Sequence, residues 1–105
     1  MPKIYKSNHA KIDLVEWFVY LTENANIDTA ERFLKNAEVN FSELATNPLI
    51  GSPLPLKNPK LTGMRKWRVR EFNNILIFYI PSQDGISIIR VIHATQDWWN
   101  LFEIS

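Results

Sequence analysis

The spacing of apolar residues changes once along the chain, from the period of a helix to that of a strand. Between about His9 and Thr22, Ala10, Leu14, Trp17, Phe18 and Leu21 recur at intervals of three and four, with Ile12, Val15 and Val19 widening the stripe. That pattern predicts an amphipathic helix. Ser7 or Asn8 stands where its N-cap belongs, and residues 3–6 ahead of it suit a short strand. A second helix is predicted from Asp28, which can cap it with Glu31 at the third helical position. Ala30, Phe33, Leu34, Ala37, Phe41, Leu44 and Ala45 keep the period until Asn47-Pro48. Two such helices joined by a few residues predict an antiparallel helical hairpin.

Residues 47–63 carry four of the six prolines, at 48, 53, 55 and 59. Proline lacks the N–H that a helix interior or a central strand needs, so an ordered loop is expected. Leu49, Ile50, Leu54, Leu56 and Leu61 are available to pin it to the core. Beyond Gly63 the alternation is of period two, over residues 64–72, 75–80 and 86–94, with Asn73-Asn74 and Pro81-Ser82-Gln83-Asp84-Gly85 between them. Asn tolerates a left-handed backbone and Asp-Gly favours tight turns, so three strands in an antiparallel meander follow. Residues 97–103 suit a short terminal helix or an ordered tail. Helices first and strands second define an α+β fold, a sheet with one face covered by the helical hairpin.

At 105 residues, 46% of them apolar, the chain has the size and composition of one globular domain spanning residues 1–105. It contains no cysteine, which excludes disulfides, thiolate nucleophiles and cysteine-ligated zinc. The first residues hold no apolar secretory segment. The longest nearly unbroken apolar run, Ile75 to Ile80, falls far short of the ~20 residues that span a bilayer. A cytoplasmic protein with no membrane partner is expected.

The formal net charge is only +1, but the halves differ. Residues 1–50 hold five Lys/Arg against seven Asp/Glu, and residues 51–105 hold seven against four. Lys57, Lys60, Arg65, Lys66, Arg68 and Arg70 precede any acidic residue of the second half, Glu71 being the first. Such a run suits phosphates or an acidic protein segment, or equally a strand edge kept soluble by cations. Strand alternation sends Trp67 and Val69 toward the helices and Lys66, Arg68 and Arg70 to the other face. Arg90 joins that basic face or else pairs with Asp97 or Glu71, because an Arg among isoleucines needs a partner. His93 ends the last strand and offers a general acid or base, or a structural hydrogen bond closing the strand. No second histidine stands at metal-ligand spacing, and no Ser/His/Asp ordering, glycine-rich phosphate loop or carboxylate pair names a reaction, so no metal or cofactor is expected. Trp98-Trp99, followed by Leu101-Phe102, can cover one end of the sheet, and of the two adjacent tryptophans one is expected to be exposed as an interaction anchor.

The stretches Leu61-Thr-Gly-Met-Arg-Lys-Trp-Arg-Val, Asn74-Ile-Leu-Ile-Phe-Tyr and Gly85-Ile-Ser-Ile-Ile-Arg-Val-Ile-His, with Asp97 four residues on, resemble the RelE/ParE toxin superfamily and within it the ParE branch. Asn47-Pro48-Leu49-Ile50-Gly51 after two helices is similar to that family's link into its sheet. Ala94 and Gln96 depart from the Gly and Arg common there. The resemblance implies an N-terminal strand that joins the sheet, two helices and a three-stranded antiparallel meander. It also implies a toxin of a type II toxin–antitoxin module, assembled with a cognate antitoxin into a hetero-oligomer. For the ParE branch it implies DNA gyrase as the target. The candidate partner-binding residues are Lys66, Arg68, Arg70 and Arg90, whose basic face suits an acidic antitoxin segment, with Trp98, Trp99 and Phe102 of the tail as the aromatic anchors on which gyrase binding would depend. The RelE branch instead implies metal-free cleavage of ribosome-bound mRNA, for which His93, Arg90, Arg70 and Arg68 are the available residues. A third possibility is a degenerate toxin that keeps only antitoxin binding. The C-terminal residues lack the catalytic Tyr of the RelE pattern, which favours the gyrase-binding reading.

Overall fold

The computed structural model describes residues 2–56 and 58–102. The chain runs β1 (Lys3–Lys6), α1 (Asn8–Asn24), α2 (Ile27–Thr46), β2 (Ser52–Pro53), a 3-10 turn (Pro59–Leu61), β3 (Arg65–Val69), β4 (Phe72–Ser82), β5 (Gly85–His93) and α3 (Trp98–Leu101). The five strands form one sheet in the order β1-β5-β4-β3-β2. The expected meander is its centre, β1 joins parallel to β5, and β2 adds an edge inside the proline-rich loop.

Ser7 caps α1, its Oγ accepting from the Ala10 N–H and donating to the Ile89 carbonyl of β5. The same hydroxyl thus starts the helix and ties it to the sheet. The cap of α2 is Asn26 rather than Asp28, with its side chain accepting from the Thr29 N–H. Asn26 competes well because its short amide reaches the third residue on, and Asp28 then lies in the first turn, where its charge meets the positive end of the helix dipole.

The first hairpin turn is Arg70–Glu71, not Asn73–Asn74, which lie within β4. Two asparagines one turn apart on α2 account for the shift. Asn40 Oδ1 accepts from the Arg70 N–H at 2.8 Å, and Asn36 Nδ2 donates to Glu71 Oε2 at 2.6 Å. Held between them, Glu71 takes a left-handed φ of 68°, a conformation that normally falls to Gly or Asn. The second turn follows expectation. Gly85 opens β5 where an added Cβ would lie 1.8 Å from the Lys3 carbonyl oxygen, so only glycine admits β1 alongside.

The sheet is covered on both faces. Val69, Ile75, Ile77, Tyr79, Ile86, Ile88 and Val91 pack on Ala10, Leu14, Phe33, Ala37, Phe41 and Leu44 of the hairpin, with Trp67 half-buried at the margin. On the opposite face Met64, Leu76, Phe78 and Ile92 pack on Trp98 and Phe102, with Leu54, Leu56 and Leu61 of the loop beside them. The expected loop pins therefore close the second face, although Leu49 and Ile50 stay exposed. Tyr79 anchors the start of that loop from inside the core: its hydroxyl donates to the Pro48 carbonyl and accepts from the Gly51 N–H, at 2.7 and 2.9 Å. Arg65 Nη1 donates to the carbonyls of Leu49 and Gly51. Lys57 of the basic run, and Glu103 of the expected tail, lie outside the described residues.

Candidate functional site

The basic strand is built as alternation requires. Lys66 and Arg68 stand opposite Phe78 and Leu76 of β4, on the face away from the hairpin, while Trp67 and Val69 turn toward it. Arg70 follows in the turn, exposed, its backbone held by Asn40. The three cations share a cleft of about 540 Å³ with Trp67, Val39, Glu43 and Leu76. Lys66 is half-buried, its Nζ 5.7 Å from the centre of the Trp98 ring, a cation–π contact. The strand edge beyond β2 is thus apolar in its floor and positive at its rim.

Arg90 does not join this surface, and its partner is neither Asp97 nor Glu71. Ile89 is the extra residue of a β-bulge opposite the Phe78/Tyr79 step. The bulge changes the face of the residues beyond it: Ile86 and Ile88 face the hairpin, whereas Ile92 faces Trp98. Arg90 turns to α1, where Nε and Nη2 donate to the Asp13 carboxylate at 2.7 and 3.0 Å. Asp13 also accepts from the Val91 N–H at 2.9 Å, so one buried carboxylate satisfies a guanidinium and a bulge amide together. The Asp13 hydrogen bonds hold the Arg90 pKa above its ordinary value, against burial, with the Asp13 and Glu16 charges adding to the shift. Asp13 could have been found in the sequence: it shares the predicted core face of α1 with Ala10 and Trp17, and a carboxylate there demands a cation.

His93 stands beside Ile75 on the hairpin side of the sheet edge. Its Nδ1 accepts from the Thr95 N–H at 3.1 Å and lies 2.7 Å from Thr95 Oγ1, while its ring stacks on Trp17. A lone pair used at Nδ1 places the proton of the neutral ring on Nε2, which makes Nε2 a donor rather than a base. Arg90 and His93 line a cleft of about 570 Å³ with Glu16, Trp17, Tyr20 and Gln96, separate from the one that holds Arg68 and Arg70. The structure thus divides the four residues available to a nuclease between two clefts.

The tail aromatics divide as well. Trp98 and Phe102 are buried against Phe78, with ring centroids 5.5 and 4.9 Å away, and Trp99 is 52% exposed. Trp98 Nε1 donates to the Ala94 carbonyl, so the end of β5 holds α3 in place. Trp98 and Phe102 therefore act first as packing residues, and Trp99 is the exposed aromatic of the tail. Among the described residues no group of three or more His, Asp or Glu is placed to hold a metal ion, and no helix is long and apolar enough to cross a membrane.

A strand, a helical hairpin and a mixed sheet with an antiparallel meander at its centre are the architecture expected of the RelE/ParE class of small toxins. The model of the ParE toxin of the type II toxin–antitoxin system parDE matches residues 4–98, and the chain belongs to that family. Among solved structures it is similar to the chromosomal ParDE toxin–antitoxin system from P. aeruginosa, at TM-score 0.70 and 15% identity over 89% of this chain and 96% of that one. It is also similar to the YoeB–YefM complex from Staphylococcus aureus, at TM-score 0.56 and 21% identity over 89% and 97% of the two chains. These identities speak for the fold. No curated protein matches the sequence.

Proposed function

We propose that this ParE-family toxin acts in the cytoplasm by binding DNA gyrase rather than by cutting RNA, and that a cognate antitoxin neutralises it in a hetero-oligomeric complex. The observation that carries the choice of binding over cleavage is the Asp13–Arg90 pair. Metal-free RNA cleavage needs a base at the 2′-hydroxyl, an acid at the leaving oxygen and cations on the phosphorane, all around one phosphate. Here Arg90 is held by Asp13, His93 lies on the hairpin side of the sheet with its Nδ1 engaged by Thr95, and Arg68 stands on the opposite face, which Trp98 and Phe102 cover. The exposed basic rim of β3 with its apolar floor suits an acidic, amphipathic antitoxin segment that orders on binding, aliphatic groups supplying area and ion pairs orientation.

The test is controlled expression with two parallel readouts, DNA supercoiling with gyrase-linked breaks and the integrity of ribosome-bound mRNA. Altered supercoiling or trapped breaks with intact transcripts is the expected result. Cleaved transcripts with unchanged supercoiling would overturn it in favour of the nuclease, and neither effect would leave a protein that only binds antitoxin.

A further inference from the structure

The outer face of α1 is apolar where solvent should favour charge. Ile12, Val15 and Val19 follow one another at three and four residues on the side turned away from the core, 52%, 64% and 47% exposed. Three β-branched residues in an exposed helix face cost helix propensity relative to Ala, Glu or Lys. Helix stability therefore does not explain them. One flank of this stripe carries Glu16, Tyr20 and Glu23, all exposed. Glu16 makes no hydrogen bond or ion pair among the described residues; it feels the charge of Arg90, whose Nε and Nη2 are both taken by Asp13. Glu16 and Tyr20, both exposed, line the 570 Å³ cleft together with the half-buried Trp17 and His93. Tyr20 meets Trp17 edge-on at 5.7 Å, so an aromatic wall stands beside a carboxylate with no hydrogen-bonded cation among the described residues. That combination suits a guanidinium, which pairs with carboxylate and stacks on rings.

We infer that the outer face of α1 is a second protein-docking surface, for an amphipathic segment that lays apolar side chains on Ile12, Val15 and Val19 and inserts an arginine between Glu16 and Tyr20. Charge decides among the occupants. A second copy packed antiparallel through this face would place the Glu16/Glu23 flank against the same flank of its mate, so that mode of self-association is opposed by like charges. An acidic segment of the kind that suits β3 is opposed for the same reason, and nucleic acid more strongly still. The surface goes beyond antitoxin binding at the basic strand and is independent of the target's identity: it lets the chain hold an acidic and a basic partner at once.

Two measurements on the full chain test it. Two labelled helical peptides with the same leucine stripe, one flanked by Arg and one by Glu, are titrated against the purified protein by fluorescence anisotropy. The Arg peptide should bind; Glu16→Gln should weaken it about tenfold or more and Val15→Asp should abolish it. Arg68→Glu should leave it unchanged. Unchanged melting temperatures of the two α1 variants exclude a folding defect. A photoreactive residue at Lys11, used in expressing cells with sequencing of the cross-linked peptide, should mark a segment with arginine beside apolar residues. Equal binding of the two peptides, no binding of either, a cross-link to an acidic segment or to nucleic acid, or a cross-link between two copies of the chain would each overturn the inference. The supercoiling and mRNA readouts are separate from these, so failure here leaves the proposed function standing.

Discussion

Replacing Asp13 by Ala should be among the most destabilising single changes available to this protein. The side chain is about nine-tenths buried, with 8% exposure against 19% for its partner Arg90, and three hydrogen bonds of 2.7 to 3.0 Å end on its two oxygens. Without it, a largely buried guanidinium and the Val91 N–H both lose their acceptor. Breaking a buried ion pair from one side costs about 3–5 kcal/mol; the residual exposure of Arg90 argues for the lower end, about 3 kcal/mol. In a domain of this size, each kcal/mol moves Tm by about 4–8 °C, so a fall of at least ~12 °C is expected by calorimetry. Arg90→Met alone should cost a similar amount, because it strands the carboxylate. The double variant Asp13→Leu/Arg90→Met leaves only the Val91 N–H unpaired, a loss of about 1–3 kcal/mol. Urea unfolding of the four proteins then gives a coupling energy of about 2 kcal/mol or more for the pair. A cost below about 1 kcal/mol for Asp13→Ala, or strictly additive effects in the cycle, would refute the view that the pair is a structural tie.

Three further outcomes are expected. Burial holds the Tyr79 phenol above its usual pKa, while the Gly51 hydrogen bond and the Arg65 charge pull it partly back; its contribution to stability is complete below the ordinary phenol value and is lost as pH rises through the folded one. Tyr79→Phe should flatten that alkaline decline in pH-dependent unfolding, at a neutral-pH cost of about 1–3 kcal/mol for the unpaired Gly51 N–H. Trp98→Ala should lower stability by about 3–5 kcal/mol in urea unfolding, whereas Trp99→Ala should change it by less than about 0.5 kcal/mol and affect only partner binding. Arg68→Glu with Arg70→Glu should slow association of the antitoxin at low salt, and stopped-flow rates that do not fall, or that ignore ionic strength, would remove the basic rim from the interface.

Periodicity made the hairpin, the meander and the face of Trp67 legible, because helices and strands bury one side and show it in spacing. What it could not show came from residues that meet across long sequence separations. The Arg70–Glu71 turn depends on Asn36 and Asn40, more than thirty positions earlier, so local turn preference pointed to Asn73-Asn74 instead. The bulge at Ile89 breaks the alternation that would assign Arg90 to a face, and no pattern of period two announces it. That residues 98–102 could cover one end of the sheet was readable from their aromatics, but which of the two tryptophans is buried was not, since burial on a four-residue helix leaves no periodic trace. The site was therefore legible in its basic strand and hidden in its ion pair.

The pairing of β1 with β5 has a consequence for when this protein acquires its shape. Lys3 lies beside Gly85 and Asp13 holds Arg90, so β1 and α1 are completed only by a strand made about eighty residues later. At about 5–20 residues per second, roughly 4 to 16 s separate the emergence of Lys3 from that of its neighbour. During that interval the helices have no platform and the N-terminal strand no mate. Native contacts of such long separation also close slowly after release. Newly made chains thus pass through a period in which the sheet that carries the basic strand is not yet assembled on its helices.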